Sequence, residues 1–138
     1  MSSRRRVSAA LIGLLVLVTG GWLGRHALSG SPTADRPVAV ASAAGLPVRA
    51  LSELPSQARQ VWQLIQHGGP FRYRQDGAVF GNWEGRLPPQ RPGFYREYTV
   101  PSPAEQDRGP RRLITGGTAQ LYYTGDHYVT FVAVDPTR

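Results

Sequence analysis

A single amphipathic helix followed by short extended segments limits the folds open to this chain more than any other feature. The apolar residues of the helix recur at helical spacing: Leu54, Ala58, Val61 and Ile65. Pro55 fits the first turn, and Gly68-Gly69-Pro70 ends the pattern. Because the helix precedes all the clear strands, the sequence predicts an α+β fold in which one N-terminal helix packs on an antiparallel β-sheet.

The strands of this sheet are predicted from short runs rich in β-branched and aromatic residues, which lie between turns rich in Gly and Pro. Four runs stand out: residues 95–100, 111–115, 120–123 and 127–134. In the last run, alternation places His127 and Phe131 on one face of the predicted strand and Tyr128 on the other. The pattern does not decide which face the helix covers.

The N-terminal third of the chain differs in composition from the rest. Residues 1–28 combine a basic start with an uncharged apolar run, which is typical of a signal peptide or a membrane anchor. The run is close to the lower limit of about 17 residues for a membrane-crossing helix, so both fates stay open. The composition of residues 29–46 predicts a flexible linker, and residues 47–138 are predicted to form the folded domain. We therefore expect that domain to be secreted, or retained at the membrane by an uncleaved N-terminal segment.

Composition excludes several kinds of chemistry. The chain has no cysteine, which rules out disulfides, thiolate nucleophiles and zinc bound by cysteine. Its three histidines are scattered along the sequence, so no metal site is expected. The net charge is +7, but from residue 47 onward eleven arginines and eight acidic residues leave only +3. That balance predicts a mild attraction to a polyanion.

Three charged residues lie in or at the ends of the predicted strands: Glu97, Arg112 and His127. The short connections between the strands allow these side chains to lie side by side. A carboxylate can then act as a general base, an imidazolium as a general acid, and a guanidinium can bind an anion that gains charge. Such a set suits attack of an RNA 2′-hydroxyl on its adjacent phosphate. Exposed strand positions, turns and surface ion pairs are commoner uses of these residue types, and those readings also stay open.

Four ordered motifs add a resemblance to known proteins. They are Phe80-Gly-Asn-Trp-Glu-Gly-Arg-Leu-Pro88, Gly93-Phe-Tyr-Arg-Glu-Tyr-Thr-Val100, Arg108-Gly-Pro-Arg-Arg112 and Tyr122-Tyr-Thr-Gly-Asp-His-Tyr128. Together with the helix, they make residues 47–135 resemble the secreted guanyl-preferring microbial ribonucleases, the barnase-like group. The resemblance implies the microbial ribonuclease fold. It also implies a metal-independent endoribonuclease that cleaves single-stranded RNA after guanosine, through a 2′,3′-cyclic phosphate, to a 3′-phosphate.

The resemblance also implies a role for each charged residue. Glu97 matches the general base of the family and His127 its general acid. Arg112 and Arg108 match the basic residues that bind the phosphate. No cofactor is implied.

The loop of residues 80–84 resembles the guanine-binding loop of that family. Glu84 is the candidate acceptor for the N1 and N2 hydrogens of guanine, and the backbone N–H groups of Asn82 and Trp83 are the candidate donors to O6. Phe80 and Tyr128 are the candidate stacking side chains, although Phe80 is also suited to packing in the core.

Two positions in this loop depart from the family pattern. Trp83 stands where many relatives have Arg, and Gly81 stands where they have a polar side chain. Both changes threaten the affinity for guanine more than the cleavage step, because the matching contacts are largely made by the backbone.

Single-stranded RNA is the expected partner, and a monomer is the expected state. Two alternatives stay open. One is an RNA-binding module without catalysis, which would hold phosphates in the same basic cleft. The other is the same ribonuclease used as an antagonistic toxin and neutralised by a barstar-like acidic protein inhibitor.

Overall fold

One helix and six strands make up the regular structure of residues 44–138, the part of the chain that this computed structural model describes. In chain order they are β1 (Val48–Ala50), α1 (Ser56–His67), β2 (Ala78–Val79), β3 (Tyr95–Thr99), β4 (Arg112–Gly116), β5 (Gln120–Thr124) and β6 (Val132–Asp135). A single 3₁₀ turn, Leu51–Glu53, lies between β1 and α1.

Helix α1 ends where its apolar pattern predicts, but it begins at Ser56, so Leu54 and Pro55 lie just before it. It begins after Pro55, whose restricted φ suits the entry to a helix. It ends at Gly68, which adopts the left-handed conformation with a φ of 77°. The N–H groups of Gly68 and Gly69 donate to carbonyls of the last turn, so the glycine pair satisfies the helix terminus.

The six strands form one sheet with the order β1-β6-β5-β4-β3-β2. Four of the five pairings are antiparallel, whereas β1 and β6 pair in parallel. The α+β prediction is therefore confirmed, with a mostly antiparallel sheet. The pairing of β1 joins the two ends of the domain, and no local pattern in a three-residue strand predicts it.

The sheet has an apolar core on each face, because neighbouring residues of a strand point to opposite faces. On one face, Leu113 of β4 packs in a cluster with Ala58 and Val61 of α1. On the other face, Ile114 packs in a separate cluster with Tyr122. Leu113, Ile114 and Tyr122 are all fully buried, so both faces of the central strands are covered.

Glu97 and Arg112 lie on the face that points away from α1. Glu97 is two residues beyond Tyr95, and Arg112 is two residues before Ile114, so the period of a strand places all four on that face. The register of β3 and β4 pairs Thr99 with Arg112, which brings the two charged residues close together. The structure thus shows which face of the sheet α1 covers, a point that the sequence pattern does not decide.

The strand predicted for residues 127–134 is wrong in its first half. β6 begins only at Val132, and the preceding residues form a turn. His127 and Tyr128 have φ values of 57° and 70°, which no residue of a strand adopts. His127 therefore enters the site from the loop between β5 and β6 and not from a third strand.

The predicted signal peptide or anchor, residues 1–28, lies outside the described residues, as does the linker up to residue 43. Leu46, the last residue assigned to that linker, packs against the core on the face opposite α1. Within residues 44–138, α1 is too short and too polar to cross a membrane.

Candidate active site

Glu97 is held by two side chains that contact different oxygens of its carboxylate. The hydroxyl of Tyr128 donates to Oε2 over 2.7 Å. The guanidinium of Arg108 forms an ion pair with Oε1 at 3.4 Å. Only 14% of the Glu97 side chain is exposed. The two contacts therefore fix the orientation of the carboxylate, while part of the side chain stays exposed to solvent.

Arg112 is a buried cation whose position is set by the backbone. Its residue exposure is 3%. Nη1 donates to the carbonyls of Gly109 at 2.7 Å and Arg111 at 2.8 Å, and more weakly to that of Arg108. Among residues 44–138, Nη2 has no hydrogen-bond partner and is not fully buried. A buried guanidinium with one open amino group is a preformed site for an anion.

Tyr128 connects these two charged groups. Its hydroxyl accepts a hydrogen bond from Nε of Arg112 at 3.2 Å and donates one to Glu97. Burial raises the pKa of Tyr128, and the hydrogen bond to Glu97 raises it further. The hydroxyl consequently stays protonated and can act as the donor to Glu97 throughout the neutral range.

His127 lies beside the arginines at the edge of an open cleft of about 480 Å³. The cleft is lined by residues of the loop before β4, including Arg108, by Arg112 at the start of β4, and by His127 of the loop before β6. The backbone N–H of His127 donates to the carbonyl of Pro110, which ties the two loops together. The His127 residue is exposed, so the imidazole can reach a bound molecule.

Asp126 holds the turn that presents His127 and Tyr128. One carboxylate oxygen accepts hydrogen bonds from the hydroxyl of Thr124 and the N–H of Thr130, and the other accepts from the hydroxyl of Thr130. The N–H of Tyr128 donates to the hydroxyl of Thr124. These hydrogen bonds offset the cost of holding His127 and Tyr128 in the left-handed region, which is unfavourable for residues other than Gly and Asn. Sequence reasoning missed this role of Asp126, although threonines that flank a Gly-Asp pair are a signal for such a turn.

The loop of residues 80–84 is closed by the side chain of Asn82. Its amide donates to the carbonyl of Leu87 and accepts from the N–H of Leu87, at 2.9 and 3.0 Å. Asn82 itself has a φ of 50°. The N–H groups of Asn82 and Trp83 have no hydrogen-bond partner among residues 44–138. Two backbone donors are thus available at the tip of the loop.

A pocket of about 270 Å³ lies between this loop and Glu97. Its lining includes Phe80, Trp83, Glu84, Glu97 and Tyr128. The rings of Phe80 and Tyr128 stack on each other, with centroids 5.4 Å apart and planes 22° from parallel. A base between two rings needs about 7 Å, twice the usual contact distance. Both rings can therefore stack on one base only if they separate.

Phe80 also contacts the core. Its ring lies 5.9 Å from that of Phe131 and 6.4 Å from that of Tyr95. The sequence left packing and stacking as alternatives for Phe80, and the structure shows that packing and exposure to the pocket occur together.

Comparison with known proteins identifies the family. A family model described as ribonuclease matches residues 37–135. Guanyl-specific ribonuclease Sa of Kitasatospora aureofaciens is 53% identical over 88 residues, which are 63% of this chain and 92% of that protein. The chain belongs to the guanyl-specific microbial ribonucleases.

Further relatives agree with this guanyl-specific family. Guanyl-specific ribonuclease St of Saccharopolyspora erythraea is 47% identical over 81 residues, which are 59% of this chain and 80% of that protein. A solved structure of ribonuclease Sa2 in complexes with mononucleotides has a TM-score of 0.66 at 45% identity, covering 67% of this chain and 97% of the other. A structure of ribonuclease Sa2 with guanosine-2′-cyclophosphate has a TM-score of 0.64 at the same identity, covering 67% and 99%.

Membership in the guanyl-specific ribonucleases confirms the predicted family, its α+β fold and the enzyme class of guanyl-preferring endoribonuclease. The structure brings Glu97, Arg108, Arg112 and Tyr128 into direct contact, with His127 on the same cleft as the arginines. No group of three or more acidic or histidine side chains within residues 44–138 could hold a metal ion.

We expect Thr130→Val to destabilise the Asp126 turn in a way that depends on pH. Hydrogen bonds from Thr130 are the main reason why the pKa of Asp126 lies below its ordinary value. A depressed folded pKa stabilises the protein above the unfolded pKa, near 4, and this stability is lost as the pH falls through the folded pKa. The variant should therefore have a lower Tm than the wild type at neutral pH, and the difference should close in strong acid.

Thermal unfolding followed by circular dichroism over this pH range measures the effect. Thr118→Val is the matched control, because Thr118 is exposed and its hydroxyl makes no hydrogen bond to the described residues. A Tm deficit of Thr130→Val that is the same in acid and at neutral pH would contradict the role of Asp126.

Proposed function

We propose that this chain is an exported ribonuclease that cleaves single-stranded RNA on the 3′ side of guanosine and has Glu97 and His127 as its general base and general acid. The observation that carries the proposal is the hydroxyl of Tyr128, which bridges Glu97 and Arg112 next to the exposed His127. Glu97 lines the pocket beside the loop of residues 80–84, Arg112 and His127 line the open cleft, and the hydroxyl links the carboxylate to the buried cation.

In the first step, the carboxylate of Glu97 accepts the proton of the ribose 2′-hydroxyl. The 2′-oxygen attacks the adjacent phosphorus, and the bond to the 5′-oxygen of the next nucleotide breaks. The imidazolium of His127 donates a proton to that leaving oxygen. The products are an RNA fragment that ends in a 2′,3′-cyclic phosphate and a fragment with a free 5′-hydroxyl.

In the second step, the two groups exchange roles. His127 accepts a proton from water, the water oxygen attacks the cyclic phosphate, and Glu97 returns its proton to the departing 2′-oxygen. The product is a 3′-phosphate. Atoms and charges balance over the two steps, and the enzyme regains its starting protonation state.

The arginines supply electrostatic stabilisation. The phosphorane gains negative charge on its equatorial oxygens, and Arg112, whose Nη2 is open, lines the cleft where that charge would develop. Because Nη1 is already held by backbone carbonyls, the guanidinium does not need to reorganise. Arg108 is bound to Thr99 at 3.0 Å as well as to Glu97, so it adds a second fixed cation.

The guanine base would occupy the pocket between the loop and Glu97. The N–H groups of Asn82 and Trp83, at the tip of the loop, are available to donate to O6. Glu84 lines the pocket, and its carboxylate can accept from N1 and N2. Adenine has an amino group in place of O6 and a bare N1, so both sets of bonds would fail. Phe80 or Tyr128 supplies a stacking surface.

The names of the relatives support this assignment. Ribonucleases Sa and St are called guanyl-specific, and ribonuclease Sa2 has been crystallised with guanosine-2′-cyclophosphate. The cyclic phosphate in that complex is the species that the first step would form.

Replacing either proton-transfer group should abolish most activity without unfolding the protein. We expect Glu97→Ala and His127→Ala each to lower kcat/KM by about 10²–10⁴-fold, the usual contribution of a general acid or base. The measurement is cleavage of a defined oligoribonucleotide with one internal G, with mass spectrometry of the new ends and with EDTA present or absent. The expected product ends in a cyclic or 3′-phosphate after G in both conditions.

His67→Ala is the matched control for the histidine variant, because His67 is exposed at the end of α1 and outside the cleft. Wild-type activity in the folded Glu97→Ala protein would refute the assignment, as would activity that depends on a metal. Salt-sensitive RNA binding without any cleavage would instead favour the non-catalytic module.

The role of Glu84 can be separated from cleavage. We expect Glu84→Gln to lower kcat/KM at G about tenfold, since a good paired contact to a base is worth about 1–3 kcal/mol. Cleavage after other bases should change much less. Rates at all four bases in matched oligoribonucleotides measure this, and an equal loss at every base would argue against base recognition by Glu84.

Export is part of the proposal. The basic start and apolar run of residues 1–28 support secretion or membrane retention of the ribonuclease domain. Recovery of active protein from the medium, with its N-terminus sequenced, would establish both the export and any cleavage site. A protein found only in the cytoplasm would overturn this part. A role as a toxin with a barstar-like inhibitor stays a prediction.

A further inference from the structure

A second groove lies on the far side of the loop of residues 80–84. It has a volume of about 310 Å³, and it shares Val79, Phe80, Gly81 and Trp83 with the proposed guanine pocket. Its opposite wall is the turn before β3, which contributes prolines and the exposed Arg91. The loop is therefore a ridge between two pockets. Asn82, whose N–H is a proposed donor to O6, lines the second groove, but the guanine base itself would occupy the pocket beside Glu97.

Trp83 forms the crest of this ridge. The residue is 95% exposed, far more than any other tryptophan or phenylalanine among residues 44–138. Its indole covers the position where a side chain at residue 81 would project, because a Cβ atom on Gly81 would overlap with Nε1 of Trp83. Gly81 thus allows the indole to lie against the loop, with aromatic surface open to solvent.

The direction of the RNA strand decides which nucleotide can reach this groove. The downstream nucleotide would lie on the side of His127, because His127 would protonate the 5′-oxygen of that nucleotide. That side is the cleft of Arg108 and Arg112, which shares no lining residue with the second groove. The upstream part of the RNA is attached to the 5′-oxygen of the guanosine. The groove beyond Trp83 is therefore open to the upstream nucleotide.

We propose that this groove binds the nucleotide immediately 5′ of the guanosine, with its base stacked on Trp83 and its phosphate near Arg91. The inference rests on the proposed function, because it takes guanosine to occupy the adjacent pocket. Stacking on an indole uses the π-face that all bases share, and an exposed arginine attracts any phosphate. The groove therefore favours a longer substrate without a strong choice of the upstream base.

The test compares the substrates ApGpA and GpA, which share the same scissile bond and differ only in the upstream nucleotide. We expect the ratio of their kcat/KM values to be about ten in the wild type, in the range of stacking on one aromatic side chain. In Trp83→Ala the ratio should fall close to one. The ratio cancels any effect of the variant on guanine binding itself, since both substrates contain that base.

Arg91 and Arg86 form a matched pair for the phosphate contact. Both arginines are exposed, but only Arg91 lines the groove. Arg91→Gln should lower the ratio in part, whereas Arg86→Gln removes the same charge and should leave the ratio at its wild-type value. An equal decrease in both variants would indicate general charge attraction and would overturn the contact with Arg91.

Gly81→Ala tests the coupling between Gly81 and Trp83. The added Cβ must displace the indole, so the ratio should fall in this variant. In the Trp83→Ala background the same change should have no further effect on the ratio, because the displaced group is gone. An additive effect in the double variant would show that Gly81 acts by another route.

A ratio near one in the wild type would overturn the proposal, as would a ratio near ten in Trp83→Ala. Failure of the proposed function is distinguishable, because neither substrate would then be cleaved. In that case, tryptophan fluorescence with the 2′-deoxy forms of the two substrates still decides the matter. The longer ligand should quench the emission of the wild type more strongly than the shorter one does, and this difference should be absent in Trp83→Ala. Equal quenching by both ligands would overturn the groove.

Discussion

The hydroxyl of Tyr128 is the contact on which the rest of this site depends. It donates to Glu97 and accepts from Arg112, so one neutral group joins a carboxylate to an almost fully buried guanidinium. A buried charge is costly unless it has hydrogen-bond partners. The three side chains thus stabilise one another, and the orientation of the proposed base is tied to that of the proposed phosphate-binding arginine.

The two-sided core explains how a small domain can hold this arrangement. Helix α1 covers one face of the sheet, and a cluster of aromatic side chains around Tyr95 and Tyr122 covers part of the other. Glu97 and Arg112 emerge at the edge of that second cluster. The loops that bear His127 and Glu84 close over it, so rigid strands carry the fixed charges and loops carry the groups that meet the substrate.

Much of this arrangement could be predicted from the sequence. Helical spacing identified α1, and the period of the strands placed Glu97 and Arg112, because in both cases a local repeat determines which side chains are buried. The β-branched and aromatic residues after His127 predict a strand there, whereas the hydrogen bonds that Asp126 accepts hold a turn. The bridging role of Tyr128 and the contact between Gly81 and Trp83 depend on three-dimensional packing, which no spacing rule contains.

The most direct test of the central claim is a double-mutant cycle for kcat with Tyr128→Phe and Glu97→Ala on a guanosine-containing dinucleotide. If the hydroxyl acts through Glu97, Tyr128→Phe should lower kcat about tenfold or more in the wild type, as expected for a hydrogen bond to a charged group. It should have little further effect in Glu97→Ala. The same loss in both backgrounds would contradict the account.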